Sequence, residues 1–284
     1  MKLNVLVVPY DSGFRDLRMG AGPARLLDAG LLEGLAAPKF EVSTVWFEAS
    51  KAALRGEIAS AVEIQQWLTT RVSHSRSEGA FPLVLAGNCM AAVGIVAGLQ
   101  ARSRRVPAVC WFDSHADFNT PDTTTSGFLD GMALATLTGR CWKSLLRSVP
   151  EFRPVPESQV LLFGARHLDQ GEREALDASE IQRPKSVTHP FSASEKLGEL
   201  RGHFGEVYLH IDLDVLDQSE GRANSYSTGG GYTRERLLEL VHEIGTSFHV
   251  GAAALTAYDP SCDPEGRIPV IAKAIVESLS RMIV

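Results

Sequence analysis

Cysteine is scarce in this chain, and what there is does not pair. Cys89, Cys110, Cys141 and Cys262 are scattered through 284 residues with no C-x-x-C among them. That argues against a disulfide framework and suits reduced thiols in a cytoplasmic protein. Long apolar runs are also missing. The first, Leu3 to Val8, is too short for the core of a signal peptide and no cleavage-site pattern follows it, and no later run approaches a membrane span. An excess of positive charge is absent too. A formal net charge of −6 argues against a general nucleic-acid or anionic-membrane binder. There is no internal repeat and no linker-like stretch, so residues 1–284 are expected to form one domain.

What is present reads as an ordinary globular protein, 44% hydrophobic and 22% charged. Short apolar runs (Leu3–Val8, Val42–Phe47, Phe81–Ala86, Val106–Phe112, Gln159–Phe163, Val207–Asp214, Gly251–Tyr258) alternate with helical patterns. Those patterns cover Glu57–His74, Met90–Ala101, Gly131–Thr138, Glu172–Ser179, Ser194–Gly202, Arg234–Gly245 and Ile268–Met282. Gly22-Pro23 opens another helix, Thr233 is placed to cap its own, and Val187–Phe191 fits a short edge strand. The alternation predicts an α/β fold of three layers, α/β/α, around a central, mostly parallel sheet. A site is then expected outside the carboxyl ends of the strands.

Two strand ends carry unusual charge. In Trp111-Phe112-Asp113-Ser114-His115-Ala116-Asp117-Phe118-Asn119, the residues Asp113, His115 and Asp117 occupy alternate positions. On an extended chain they would share one side. In His210-Ile211-Asp212-Leu213-Asp214-Val215-Leu216, Asp212 and Asp214 do the same. A polar loop after a strand accounts for either stretch alone. Together they would gather four carboxylates and an imidazole beside buried β residues, an arrangement that about two divalent cations would relieve.

These stretches resemble two signature motifs of the arginase/agmatinase (ureohydrolase) superfamily. Gly22-Pro23 with Leu26-Leu27-Asp28-Ala29-Gly30-Leu31-Leu32 is similar to its N-terminal element, and Phe163-Gly164-Ala165-Arg166-His167-Leu168-Asp169-Gln170-Gly171-Glu172 to its I-G-x-R-x-x-D-x-x-E run. The matches extend from Gly20 to Pro260, nearly the whole chain. The resemblance implies an arginase-like fold and two manganese ions sharing a water of lowered pKa. It also implies hydrolysis of a C–N bond in a guanidino, amidino or formimino compound, and a trimer or hexamer. Carried over by position, Asp113 and Asp212 would bridge the ions, His115 and Asp214 would serve one, and Asp117 the other. Asp169 and Glu172 match positions that recognise a substrate's α-amino end, although a turn followed by an acid at a helix start reads equally well there.

Three departures stand against this pattern. Where the family has a sixth ligand, a histidine, Ala86-Gly87-Asn88-Cys89-Met90 has Cys89. A thiolate there would weaken that site or turn it toward zinc or iron, and an inert buried thiol is the alternative. Where the family has S-G-N-x-H-G, Ser126-Gly127-Phe128-Leu129-Asp130-Gly131 puts Phe128 in the asparagine place and Asp130 in that of the proton-shuttling histidine. Asp130 either moves protons with a raised pKa or caps a helix. Where the family has a guanidinium-pairing glutamate, Thr256-Ala257-Tyr258-Asp259-Pro260 has Ala257. If the strand runs on, Asp259 lies on the same side one step further out and supplies the missing charge; otherwise the substrate group there is neutral. His210 is expected to support the ligands from behind, and the other unmotivated histidines to be superficial or structural. Five retained ligands favour an enzyme, and the three departures keep open a catalytically impaired relative with a structural or regulatory role. A deacetylase on a related fold lacks its tandem histidine pair here.

Overall fold

The structure, a computed structural model, describes residues 2–35, 40–50, 56–184, 187, 193–199 and 202–282. Strand β1 (Lys2–Val8) is followed by a short hairpin, β2 (Tyr10–Asp11) and β3 (Phe14–Arg15), then by α1 (Gly22–Asp28), β4 (Glu41–Trp46) and α2 (Glu57–Ser77). Next come β5 (Ala80–Ala86), α3 (Ala91–Gln100), β6 (Ala108–Phe112), α4 (Ala133–Leu137), α5 (Lys143–Arg147), β7 (Val160–Phe163) and α6 (Gln170–Asp177). The chain ends with α7 (Ala193–Glu199), β8 (Val207–Asp212), α8 (Arg234–Ser247), β9 (Val250–Thr256) and α9 (Arg267–Met282).

Seven strands form one sheet in the order β4-β1-β5-β9-β8-β6-β7. Every pairing in it is parallel, so the expected architecture holds and is purer than "mostly parallel". Parallel strands need helical crossovers, and these cover both faces of the sheet. Period-two alternation splits β1 between the two cores. Leu6 and Val8 pack on one side with α2 and α3, and Val5 and Val7 on the other with α8 and α9. Helix α3 is buried over its whole length because Gly94 and Gly98 let α2 approach closely; a Cβ on either would strike Gln65 or Val72.

Several boundaries differ from the sequence reading. The polar loop after β1 contains the β2–β3 hairpin, and α5 has no counterpart in the expected elements. The helix after the Thr/Ser/Gly loop starts at Ala133, preceded by a 3-10 turn over Asp130–Met132. The strand expected at Val187–Phe191 lies outside the described residues except for Val187, which is in a turn. Among the described residues, no helix is long and apolar enough to cross a membrane.

The sheet order decides what meets at its carboxyl edge. Strands β5, β9, β8 and β6 are consecutive neighbours, and Cys89, Ala257, Asp212 and Asp113 lie at or just beyond their ends. Residues far apart in sequence are thus presented on one rim.

Candidate active site

Asp113 begins the turn after β6 and is anchored to β7 by its backbone N–H, which donates to the Phe163 carbonyl at 3.0 Å. Its carboxylate accepts from the Trp111 indole at 3.1 Å and from the His115 backbone at 2.8 Å. His115 Nδ1 stands 3.3 Å from Asp113 and 3.4 Å from Asp214. Asp212, the last residue of β8, accepts from the Asp214 backbone at 2.8 Å and from the Cys89 thiol at 3.2 Å. Asp214 accepts from the Ser114 backbone at 3.1 Å and from the Asn224 amide at 3.3 Å.

The residues meet, but not as alternate positions of extended strands. β6 ends at Phe112, and Asp117 has a left-handed backbone, φ 49°. Its carbonyl accepts from Leu134 and Ala135, which fixes the loop to the start of α4. β8 ends at Asp212, whose carboxylate caps a 3-10 turn over Leu213–Val215 that carries Asp214. Local carboxylate-to-backbone hydrogen bonds redirect the chain at both strand ends, and an extended continuation would leave those N–H groups unpaired. At the end of β5, Gly87 allows a similar close approach: a Cβ there would run into the Tyr10 carbonyl.

Two groups of side chains have ligand atoms within 4.8 Å of one another: Cys89, Asp113 and Asp117, and Asp113, His115 and Asp214. Asp113 belongs to both. Asp212 joins neither group but is tied to each, through Cys89 and through Asp214. Asp113, Asp117, Asp212 and Asp214 are buried, as is Cys89. Asp117 Oδ2 is buried without a hydrogen-bond partner, an uncommon state for a carboxylate oxygen. With no cation to compensate them, burial pushes Asp113, Asp117 and Asp212 above the usual carboxylate range, and mutual repulsion adds to it. Burial and the surrounding carboxylates likewise push the Cys89 thiol well up. Burial lowers His115, but Asp214 and Asp113 outweigh it and bring the imidazole to about 9. A buried acid cluster in which one carboxylate oxygen has no hydrogen-bond partner fits two divalent cations sharing Asp113.

Beside this cluster opens a cleft of about 290 Å³. Asp117, Asp130, Asp169, Glu172, Asp212 and Asp214 line it, with Phe128, Tyr226 and Ala257 among the other walls. Asp130 accepts from the Met90 backbone at 2.9 Å and from the Asn88 amide at 3.0 Å, and burial raises its pKa to about 8. It does not cap the 3-10 turn it begins, so the helix-cap alternative does not describe it. Asp169 and Glu172 do form the capping box of α6, as the alternative reading held, while still facing the cleft. Glu172 also accepts from the Phe118 backbone at 2.9 Å, and burial brings it to about 6. Asp259 is a correction. β9 ends at Thr256, and Ala257 turns left-handed at φ 61°. Asp259 is spent on Ser261, accepting from its backbone at 2.9 Å and its hydroxyl at 2.7 Å, and it is not among the cleft walls.

His210 stands behind the ligands as expected, and sequence reasoning missed two further supports, Thr256 and Arg166. The Thr256 hydroxyl lies 3.2 Å from the Cys89 sulfur and 3.4 Å from His210 Nε2, and His210 Nδ1 lies 2.9 Å from the Tyr208 hydroxyl. Trp111 stacks on His210 with centroids 3.6 Å apart. Burial pushes His210 down to about 3, so a neutral ring backs Cys89 through Thr256. The second support is Arg166. Its guanidinium donates to six carbonyls, those of Gly164, Asp214, Val215, Leu216, Thr228 and Gly229, at 2.9–3.3 Å. Neither acts through a local pattern, so only the topology reveals them.

A family model described as "Arginase family" matches residues 1–280. The chain belongs to the arginase family. The arginase of Staphylococcus aureus (strain MRSA252) is 30% identical over 267 residues, 85% of each chain. The solved arginase of Bacillus caldovelox superposes with a TM-score of 0.85 at 25% identity, covering 98% of this chain and 97% of that one. Formimidoylglutamase from Bacillus subtilis shares the fold, with a TM-score of 0.78 at 16% identity over 99% of this chain and 86% of that one. The protein is thus an arginase-family hydrolase acting on the C–N bond of a linear amidine, at low identity to its characterised relatives. Membership implies a binuclear divalent-metal centre, for which the two side-chain groups are candidates, one containing a cysteine.

Proposed function

We propose that this protein hydrolyses a guanidino or amidino compound bearing an amine at its far end, at a centre of two divalent cations. Asp113, His115 and Asp214 would hold one cation; Cys89, Asp113 and Asp117 would hold the other; Asp212 would complete both. The observation that carries this reading is that Asp113 is common to both groups while the buried Asp117 oxygen beside it has no other partner. When bound, the cations would supply Lewis acidity and lower the pKa of water between them. Manganese suits the oxygen-rich group. Cys89 would weaken the other position or turn it toward zinc or iron.

The chain's own residues supply the rest. Asp130, raised by burial at the cleft wall, is placed to pass a proton to a departing amine. Asp169 and Glu172 present carboxylates toward the substrate's amine. With Ala257 in the place of a glutamate and the four aspartates offset by the cations, the reacting group there would be bound in its neutral form. A trimer or hexamer completes the reading.

The test is metal analysis of purified protein after manganese loading, with assays for urea, ammonia and formamide release from a panel of guanidino and formimino compounds. Two ions per chain and turnover of one class support the reading. No bound metal, or two ions with no turnover across the panel, counts against it. A second reading has its own observation: the Cys89 thiol donates to Asp212, so it keeps its proton in this arrangement. One ion per chain and no hydrolysis would favour that impaired relative.

A further inference from the structure

A smaller cavity lies behind the cleft wall. It measures about 30 Å³, room for about two waters. Ser12 and Gly13 of the hairpin, Glu57 and Ala61 of α2, and Asn88 after β5 help to enclose it. Asp130 lines both this cavity and the cleft, so its side chain stands as the partition between them.

The cavity has an inner and an outer end. Asp130 is buried, whereas Ser12, Gly13 and Glu57 are half-buried. Asp130 Oδ2 accepts from the Asn88 amide at 3.0 Å, and the Asn88 oxygen accepts from the Ser12 backbone at 2.9 Å, which ties the hairpin to the partition. Gly13 brings the hairpin close to α2: a Cβ there would stand 3.1 Å from the Ser60 hydroxyl and 3.5 Å from the Glu57 Cα. The acids near this corner differ. Asp11 pairs with Arg18 at 2.9 Å, accepts from the Ser12 hydroxyl at 3.0 Å, and is not among the cavity walls. Glu57 is a wall residue, and burial raises its carboxyl above the ordinary value, with Ser12 pulling it back. Val8, Ile64 and Leu129 make the stretch between largely apolar, so water inside would bond to the polar groups at the two ends.

A general acid has to be reloaded after each turnover. Once Asp130 has given its proton to a departing amine, product in the cleft stands between its carboxylate and bulk water. The rear cavity does not pass through the cleft.

Resting on the role proposed for Asp130, we infer that Glu57 is a positioning residue that returns a proton to Asp130 through water held in the rear cavity. Asp130 loses its proton to the amine nitrogen, breaking an O–H bond and forming an N–H bond. Cavity water then passes a proton to the Asp130 carboxylate and takes one from the Glu57 carboxyl. Glu57 takes its replacement from bulk water at the outer end. The sum is one proton moved from solvent to the amine.

The test has a structural arm and a kinetic arm. A crystal structure of manganese-loaded protein should show ordered water joining Asp130 to Glu57. Turnover is followed with whichever of L-arginine, 4-guanidinobutylamine and N-formimidoyl-L-glutamate is hydrolysed. Glu57→Gln should melt near the parent and bind as much manganese, while kcat falls about tenfold and KM stays within about twofold. Imidazole buffer added at constant pH should recover much of that kcat and leave the parent's unchanged, a response that a merely structural role would not give. A cavity without water, an unchanged kcat in Glu57→Gln while Asp130→Asn is inactive, or a loss that imidazole does not recover overturns this inference alone. If Asp130→Asn keeps the parent's kcat, or if none of the three probes is hydrolysed, the function proposed above fails and this inference falls with it.

Discussion

Arg166 gives the sharpest test of how the site is held. Its guanidinium joins three segments: Gly164 after β7, the turn of Asp214, Val215 and Leu216 after β8, and the returning loop at Thr228 and Gly229, which Asp217 also ties back through the Gly230 and Gly231 backbones. Arg166→Met keeps the apolar stem and removes every donor. Charged hydrogen bonds contribute about 1.5–3 kcal/mol each, so a simple sum over these bonds would be far too large. Several acceptors share one N–H group, the side chain is partly exposed, and water would reach some of the freed carbonyls. About 3 kcal/mol is the reasonable size, at the lower end of what removing one partner of a buried charged network costs. In a chain of this length that lowers the melting temperature by about 5 °C. Arg166→Lys keeps a charge but offers three donors without the planar fork, and should lose about half as much. Because the turn carries Asp214, manganese affinity should also fall, by about 10–100-fold. Scanning calorimetry on metal-free protein and manganese titration on the same samples measure both effects. If Arg166→Met melts within about a degree of the parent and binds manganese equally well, the guanidinium is not what holds these loops.

Three further outcomes follow from the site. Cys89→His should raise manganese content relative to zinc when protein is dialysed against both and analysed by mass spectrometry; an unchanged ratio would show that Cys89 contributes no ligand. Asp117→Asn should stabilise the metal-free protein, by about 1–3 kcal/mol, because it removes a buried carboxylate whose Oδ2 has no partner. The same variant should lose stabilisation by manganese, so opposite shifts in melting temperature with and without metal are the signature. The pH dependence has a definite sign. Asp113, Asp117 and Asp212 are raised by burial, Asp130 to about 8, and His115 to about 9 despite its burial because of Asp214 and Asp113. The folded state therefore holds protons that the unfolded state releases, and the associated stability is full below about pH 4 and lost as pH rises toward 9. Metal-free protein should melt progressively lower across that window, whereas manganese should restore stability most at the alkaline end. A flat metal-free profile would show that the acids are not forced together.

The sequence reveals most of the framework because its signals are local. Apolar runs of strand length, alternating with helical patterns, identify the sheet strands. Thr233 caps α8 as its position suggests, its hydroxyl accepting from Arg236 at 3.2 Å. The clustering of Asp113, His115 and Asp214 was also legible, although for an imperfect reason. Alternate positions on a strand suggest a shared side, whereas the actual convergence comes from a left-handed Asp117 and a 3-10 turn after Asp212. Asp259 shows the limit of that logic. A strand rule was carried past the residue where the strand stops, and nothing in Ala257-Tyr258-Asp259 announces the left-handed alanine that ends it. Arg166 and Thr256 were invisible for a different reason: their partners are backbone atoms and side chains from neighbouring strands, fixed only by sheet order.

That same sheet order explains why two of the departures belong together. Asp130 accepts from the Met90 backbone and from the Asn88 side chain, so its carboxylate grips the residues on either side of Cys89. Both donors of the Asn88 amide are used in this arrangement, because it also donates to Asp11 at 3.2 Å, and its oxygen accepts from the Ser12 backbone at 2.9 Å. A histidine at 130 could not accept from both donors at once, and its loss would leave the turn carrying Cys89 less firmly held. The acid at 130 and the thiol at 89 are therefore parts of one local structure. Asp130 sets where the sulfur sits, and β9, between β5 and β8, brings Thr256 to its far side. The reactive side of this site has been rebuilt around a turn, and its chemistry has to be understood with that turn in place.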